Sequence, residues 1–598
     1  MGRARTHTVL LLLLTFCALS SLADDGQEKL VRGIVVNQSI RIPKVPRPPK
    51  IEDFLEMKPA PPFAEGGMVM IDQLKQRLPN DGAPVSQRTE IYLGYDEKHL
   101  YAVMIAFDKE PAKIRARMTK REDIWHDDVF LLILDTFNDQ RRAYGFGTNA
   151  RGVQSEGVWT EGKEWDFSWD TVWESHGELT PQGYVVFMAI PFRSLRFPST
   201  AEQHWGIMLD RDIPRNDEQS FWPQYSNHVD GRLNQEGKLS GIERVSPGRN
   251  MQFIPYISMR SYRAVDQRDP YNPFFSQRAF KGDAGLDSKI VLNDSLVLDA
   301  TVNPDFAQVE SDDPQVTANR RFEVYFPEKR PFFLENAGFF ETPMDLVFTR
   351  RIANPSYGVR LTGKAGPYAL GVLTADDRSP GAEVPEADPL FGSRASFTIA
   401  RVNRDIFKQS TIGAIYTDRE YHGSFNRVGG IDTRIKFDDH WVLTAQGVIS
   451  SNRELDGRYS AGPSFKTEFA RNGRKFNYYG LYSDTSTGFI THSGFFRRPD
   501  YRVLEQEAGL TWHPKDKLVY AHGFSLETFQ SYDHLTGTHL ENFNSLEYNV
   551  LLRGQTTLQA GYSTGSETLR PLDFASLTEN QRYGRHAYNF FAGSDRFS

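Results

Sequence analysis

A two-residue alternation of apolar and charged side chains, sustained through the second half of the chain, limits the fold more than any other feature. Ile431, Thr433, Ile435 and Phe437 share one face of an extended segment, while Asp432, Arg434 and Lys436 share the other. Successive side chains point to opposite faces of a strand, so only β-structure sorts this pattern into two faces. The turn Asp438-Asp439-His440 leads into a second run from Trp441 to Val448. Phe465, Thr467 and Phe469 then alternate with Lys466 and Glu468, and Asn472-Gly473 turns the chain into Phe476, Tyr478 and Tyr482. Asn-Gly between alternating runs is a strong hairpin signal. Further pairs occupy 284–292 with 296–303, 358–362 with 368–373, and 504–512 with 518–529. Many runs approach the roughly 9–11 residues of a tilted membrane-spanning strand. The pattern predicts an antiparallel transmembrane β-barrel over residues 248–598. A soluble all-β protein is the alternative, although a propeller would repeat every ~40–50 residues and no such repeat is visible.

The N-terminus points to export. Arg3 and Arg5 precede a short apolar stretch, and Ser21-Leu22-Ala23 offers small residues for cleavage before Asp24. Residues 1–23 therefore read as a signal peptide. The single cysteine, Cys17, lies inside it, so the mature chain has no thiol chemistry and no disulfide. No segment holds eighteen consecutive apolar residues, which excludes helical spans but not a barrel. An aromatic fraction of 13%, with 25 tyrosines, favours strands and interfacial girdles. A net charge of −7 without a long basic run gives nucleic acid no foothold.

Between these regions, residues 24–70 read as an extended N-terminal segment whose Pro- and Lys-rich part, 40–62, is a linker or an edge segment. Residues 71–247 show short strands at sandwich spacing: 90–95, 100–106, 129–134, 142–148, 171–179, 184–190 and 205–210. The expected architecture is thus all-β, a jelly-roll-like sandwich followed by a membrane barrel whose outside contacts outer-membrane lipid. Residues 588–598 are short for a closing strand and end Phe597-Ser598, so the barrel is expected to be truncated or to close in another way.

Two blocks carry a resemblance. The first includes Asp81-Gly82-Ala83-Pro84-Val85-Ser86-Gln87, Arg121-Glu122-Asp123, Leu134-Asp135-Thr136-Phe137, Ile190-Pro191-Phe192 and Ser194-Leu195-Arg196-Phe197. It resembles the family-nine carbohydrate-binding modules and their DOMON-like relatives, a β-sandwich group. The second is Val302-Asn303-Pro304-Asp305-Phe306-Ala307-Gln308-Val309-Glu310 with Tyr325-Phe326-Pro327-Glu328-Lys329-Arg330-Pro331-Phe332-Phe333-Leu334-Glu335. It is similar to the signature of a domain of unknown function in Gram-negative envelope proteins, presumed to be a barrel. Together they imply an outer-membrane protein that binds or admits a polysaccharide or oligosaccharide, linked to carbohydrate catabolism, without a catalytic site of its own. A secreted xylanase-like hydrolase of O-glycosyl bonds and a structural envelope protein are the alternatives. No His-Glu-x-x-His pair is present.

Three sets of residues are candidates for chemistry. Trp159, Trp165 and Trp169 sit in a Gly-, Asp- and Glu-rich stretch and are the stacking candidates for pyranose rings, against a role in core packing. Asp127 and Asp128, at the entrance to the buried run 129–134, are candidate ligands for a structural calcium ion, against a role as turn carboxylates; no other cofactor is expected. The Phe-Pro-Glu-Lys-Arg-Pro-Phe-Phe block, whose prolines forbid a central strand, would fold into the lumen. There Glu328, Lys329, Arg330 and Glu335, with Asp312, Asp313, Arg320 and Arg321, would form either a selective constriction or a structural latch.

Overall fold

The computed structural model describes residues 38–594 except 163–164, 168, 247, 249–250, 263–264, 267–273, 276–278, 294, 305–322, 383, 408, 497, 515–517, 554–555 and 575. Residues 1–23, expected to be a signal peptide, lie outside the described residues, together with Asp312, Asp313, Arg320 and Arg321. Strands carry the fold, and the helices among the described residues are single turns such as Pro61–Ala64 and Pro331–Leu334.

The first unit is a sandwich. Its larger sheet runs in the order Ser39–Arg41, Gly237–Glu243, Glu202–Ile213, Val129–Asp135, Arg142–Asn149, Gln154–Thr160 and Trp165–Asp166. The smaller sheet runs Glu174–Thr180, Gly183–Pro191, His99–Phe107, Thr89–Tyr95 and Val69–Ile71. Phe130, Leu132 and Leu134 of the larger sheet meet Ala102, Met104 and Met188 of the smaller one in the main apolar layer. Leu131 and Ile133, which alternate with them, belong to a second cluster on the outer face. This is why the run Val129–Asp135 is apolar without interruption: all seven residues are buried.

Two expectations change here. The described part of the N-terminal segment, from residue 38, supplies an edge strand and also a cover for the smaller sheet. Val45, Phe54, Met57 and Phe63 cover the outer face of the smaller sheet, against Tyr92, Tyr101 and Phe187, and Ser39–Arg41 pairs in parallel with the last sandwich strand. The strand expected from Thr171 begins only at Glu174. Trp173 instead turns into the core against Phe146 and donates its indole N–H to Glu156 (3.2 Å).

Among the described residues from Met251 onward, sixteen strands form one antiparallel sheet, from Met251–Tyr262 to Gln581–Ser594. The predicted hairpins are present, among them Ser424–Lys436 with Trp441–Arg453 and Tyr459–Arg471 with Phe476–Thr485. The final strand is not short. Gln581–Ser594 has 14 residues and pairs along its whole length with Thr556–Leu569. Among the described residues, no ladder joins the first strand of this sheet to the last.

The alternation sorts the two faces of this sheet as a bilayer requires. Ile431 and Ile449 are 65% and 66% exposed, and Val372, Tyr416 and Phe465 share their outward face. The inner face carries Arg401, Asp432, Gln446 and Lys466. The outside of the sheet is thus apolar, while its inside mixes these polar groups with buried apolar residues such as Leu373, Ile399 and Val428; an exposed apolar face suits a lipid-facing wall.

The sandwich rests on the end of the sheet where the hairpin turns are short. Lys436 Nζ donates to the Asp230 carbonyl (2.8 Å), Arg141 to the Ser410 carbonyl (2.7 Å), and Asp230 N–H to the Asp439 carbonyl (2.7 Å). Arg141 also lies 3.1 Å from Asp405.

Candidate functional site

Trp159 and Trp165 come together on the outer face of the larger sandwich sheet, with ring centroids 5.5 Å apart. Gly145 makes room for Trp165: a Cβ there would meet the ring at 2.5 Å. Arg232 lies 4.5 Å over Trp159 and 5.5 Å over Trp165, and both rings pack against the cluster of Leu131, Ile133, Met208 and Tyr225. Trp159 also donates to Glu161 (3.3 Å), whose carboxylate accepts the Leu233 N–H (3.1 Å). One face of this pair therefore serves packing. Trp169 stands apart. It is 8% exposed in the main core, 4.8 Å from Tyr144 and 5.9 Å from Phe146.

Asp127 and Asp128 are fully buried. Asp127 accepts from Arg117 Nε (2.8 Å) and Asn149 Nδ2 (2.9 Å). Asp128 accepts from the Arg115 N–H (2.9 Å) and lies 3.9 Å from Arg215, and burial pushes its carboxyl up to about 6. Among the described residues, no group of three or more His, Cys, Asp or Glu side chains is disposed to hold a metal ion.

The proline-rich block lies against the inner face of the long sheet. Pro331 opens the single-turn helix Pro331–Leu334, where a proline at the first helical position costs no hydrogen bond. Phe333 and Phe340 pack on Leu373, Phe397 and Ile399. Further along, Met344 and Leu346 pack on Ile415, Val428 and Val448. Arg330 closes on Glu328 in the two-pronged geometry that suits guanidinium and carboxylate (2.7 and 2.6 Å). It also donates to the carbonyls of Ile352 (2.6 Å) and Thr349 (2.8 Å). Glu335 forms an ion pair with Lys289. In the Glu328–Arg330 pair each charge is satisfied within the segment that presents it. Lys329 donates its backbone N–H to Glu328 (3.1 Å).

The tip of this segment ends at the sandwich, where Arg142 lies 4.9 Å over the ring of Phe339. A cavity of about 620 Å³ opens there, between the sandwich and the inner face of the sheet. Trp169, Tyr144, Arg142, Arg193 and Arg196 line it from the sandwich, and Thr362, Lys364, Lys289 and Glu335 from the other side. Its size falls within the range of small-molecule sites, and its lining is largely polar and charged, with the rings of Phe137, Tyr144, Trp169 and Phe339 among these groups. Two buried polar atoms on its wall, Arg142 Nε and Thr362 Oγ1, have no hydrogen-bond partner among the described residues. Thr362 is 1% exposed, and a buried hydroxyl without a partner is uncommon in a native protein. Of the three tryptophans singled out from sequence, only Trp169 lines this cavity. The arginines were not singled out: Arg196 stood in a block that carries the resemblance, but no spacing marked the three as a group.

A family model described as "Domain of unknown function (DUF5916)" matches residues 247–363. These residues contain the second block, the proline-rich segment and the first strands of the long sheet. No curated protein matches the chain. Among solved structures, the chain is similar to a carbohydrate binding module family 9 from Caldicellulosiruptor kristjanssonii in complex with cellotriose. That likeness has 12% identity and a TM-score of 0.21, and covers 34% of this chain and 92% of that one. It is also similar to Pseudomonas aeruginosa OccK11 (OpdR), at 9% identity and a TM-score of 0.28, covering 80% of this chain and 99% of that one. The outer membrane protein opdK from Pseudomonas aeruginosa gives 10% identity and a TM-score of 0.25, over 78% and 99%. At these scores, none of the likenesses assigns a ligand.

Proposed function

We propose that this chain is an outer-membrane protein that binds an oligosaccharide at the junction of its sandwich and its long sheet and admits it to the lumen. The cavity between the two units carries this reading, because it opens onto the inner face of the sheet beneath the tip of the proline-rich segment. The outward apolar face of the sheet supports insertion in a bilayer. Trp169 and Tyr144 supply aromatic surface for the C–H faces of a sugar ring, and Thr362 supplies a hydroxyl for one of its hydroxyls. The reading is of a binder.

Fractionation and calorimetry test it together. The protein is expected in the outer-membrane fraction with heat-modifiable migration, and the detergent-solubilised full chain is expected to bind xylo-, cello- or uronate oligosaccharides. A purely soluble periplasmic protein, or one that binds none of these probes, overturns the proposal.

A further inference from the structure

Charge narrows the ligand. Three carboxylates line the junction cavity, and each already has a cation: Asp139 pairs with Lys364, Glu335 with Lys289, and Asp170 with Arg121 (3.2 Å). Three guanidinium groups remain. Among the described residues, none of Arg142, Arg193 and Arg196 has a carboxylate partner. Arg142 is held over Phe339 with its Nε unpartnered, Arg196 donates only to the carbonyls of Arg193 (3.2 Å) and Leu195 (3.0 Å), and Arg193 is exposed at the rim.

We infer that the ligand of this cavity is an acidic oligosaccharide, one whose sugar units carry carboxylates. The inference rests on the reading of the cavity as an oligosaccharide site. Guanidinium groups recognise carboxylates through paired, charge-assisted hydrogen bonds. Three unneutralised ones in a recess between low-dielectric walls raise the local concentration of anions. Tyr144, half-buried on the cavity wall with Trp169 packed against it, adds what a simple anion does not need, an aromatic surface for a ring. Arg142 Nε and Thr362 Oγ1 are the groups that such a ligand would satisfy.

Titration calorimetry on the full chain in detergent decides the matter with trigalacturonate, xylotriose, cellotriose and triglutamate as probes. Trigalacturonate is expected to bind at least about ten-fold more tightly than the two neutral trisaccharides and than triglutamate, because only it offers both carboxylates and rings. Raising the salt from 50 to 500 mM is expected to remove most of that advantage and to leave the neutral sugars unchanged. Arg193→Gln, at an exposed position where folding is not at stake, and Arg142→Gln are each expected to weaken trigalacturonate about ten-fold and to leave xylotriose within two-fold. Neutral trisaccharides binding as tightly as trigalacturonate would overturn the acidic ligand and leave the glycan reading intact. Equal binding of triglutamate would show an anion site without sugar recognition, which also overturns it. An unchanged affinity in both arginine variants places the ligand elsewhere and sinks the inference. If no saccharide binds, the functional reading falls with it.

Discussion

In the sandwich strand Val129–Asp135 every side chain is buried, whereas in Ser424–Lys436 of the long sheet Ile431 is 65% exposed and Asp432 only 7%. Both strands were legible from their hydrophobic pattern, but the pattern is resolved in opposite ways. The sandwich is covered on both sides of its larger sheet, so it needs continuous apolar runs. The long sheet places apolar side chains on the exposed face and charges beneath, where Arg401 pairs with Asp432 (2.7 Å). The difference teaches that exposure of apolar side chains on a long alternating strand is itself a statement about solvent. In water it would be a liability, and in lipid it is the condition for folding.

Four substitutions break or sharpen this comparison. The largest effect is expected for Trp205→Ala, which empties the space against Phe192 and Phe197 in a fully buried part of the sandwich. A loss of about 3–5 kcal/mol in denaturant unfolding of the full chain is expected; a loss below ~1 kcal/mol would mean that the sandwich core is not packed as described. Next comes Ile431→Arg, in the middle of an outward face. Refolding into bilayers should cost about 2–4 kcal/mol, while Val172→Arg, equally exposed but on the sandwich, should stay within roughly 0.5 kcal/mol. Equal tolerance of the two arginines would place both faces in water and remove the membrane reading.

The smallest effect is expected at Glu236, a buried carboxyl in the sandwich. Burial first, and then the nearby Asp135, push it up to about 9. Its contribution to stability is whole below the ordinary carboxylate range near 4.5 and is lost as pH rises through about 9. Above the lower value, folding must take up or hold a proton that the unfolded chain releases. Glu236→Gln removes that requirement and is expected to raise stability at pH 8 by roughly 1–2 kcal/mol, with a flatter profile between pH 5 and 10. An unchanged slope of stability with pH would show that Glu236 is not the group responsible.

Much of the fold was visible in the residues, for a local reason. The strand Val129–Asp135 announced itself as a continuous apolar run, and the Asn472-Gly473 turn marked its hairpin. Errors arose where tertiary contacts overrode local texture. The prolines of the N-terminal segment suggested a linker or an edge segment, but Phe54 and Phe63 also found an open sheet face to cover. Residues 588–598 looked too short for a strand because the pairing that extends it back to Gln581 lies in a partner strand. The candidate site was legible in part. Trp169 lines the junction cavity, Trp159 and Trp165 meet elsewhere under Arg232, and Asp127 is already engaged by Arg117 and Asn149.

What the chain determines by itself is which segments are strands and which of their faces are apolar, because a period of two is set by each residue's immediate neighbours. Only the tertiary structure decides that Arg142, Arg193 and Arg196 meet Thr362 around one cavity. Those side chains come from separate strands and turns of two different units. They are brought together by where one unit docks on the end of the other, which no local periodicity records.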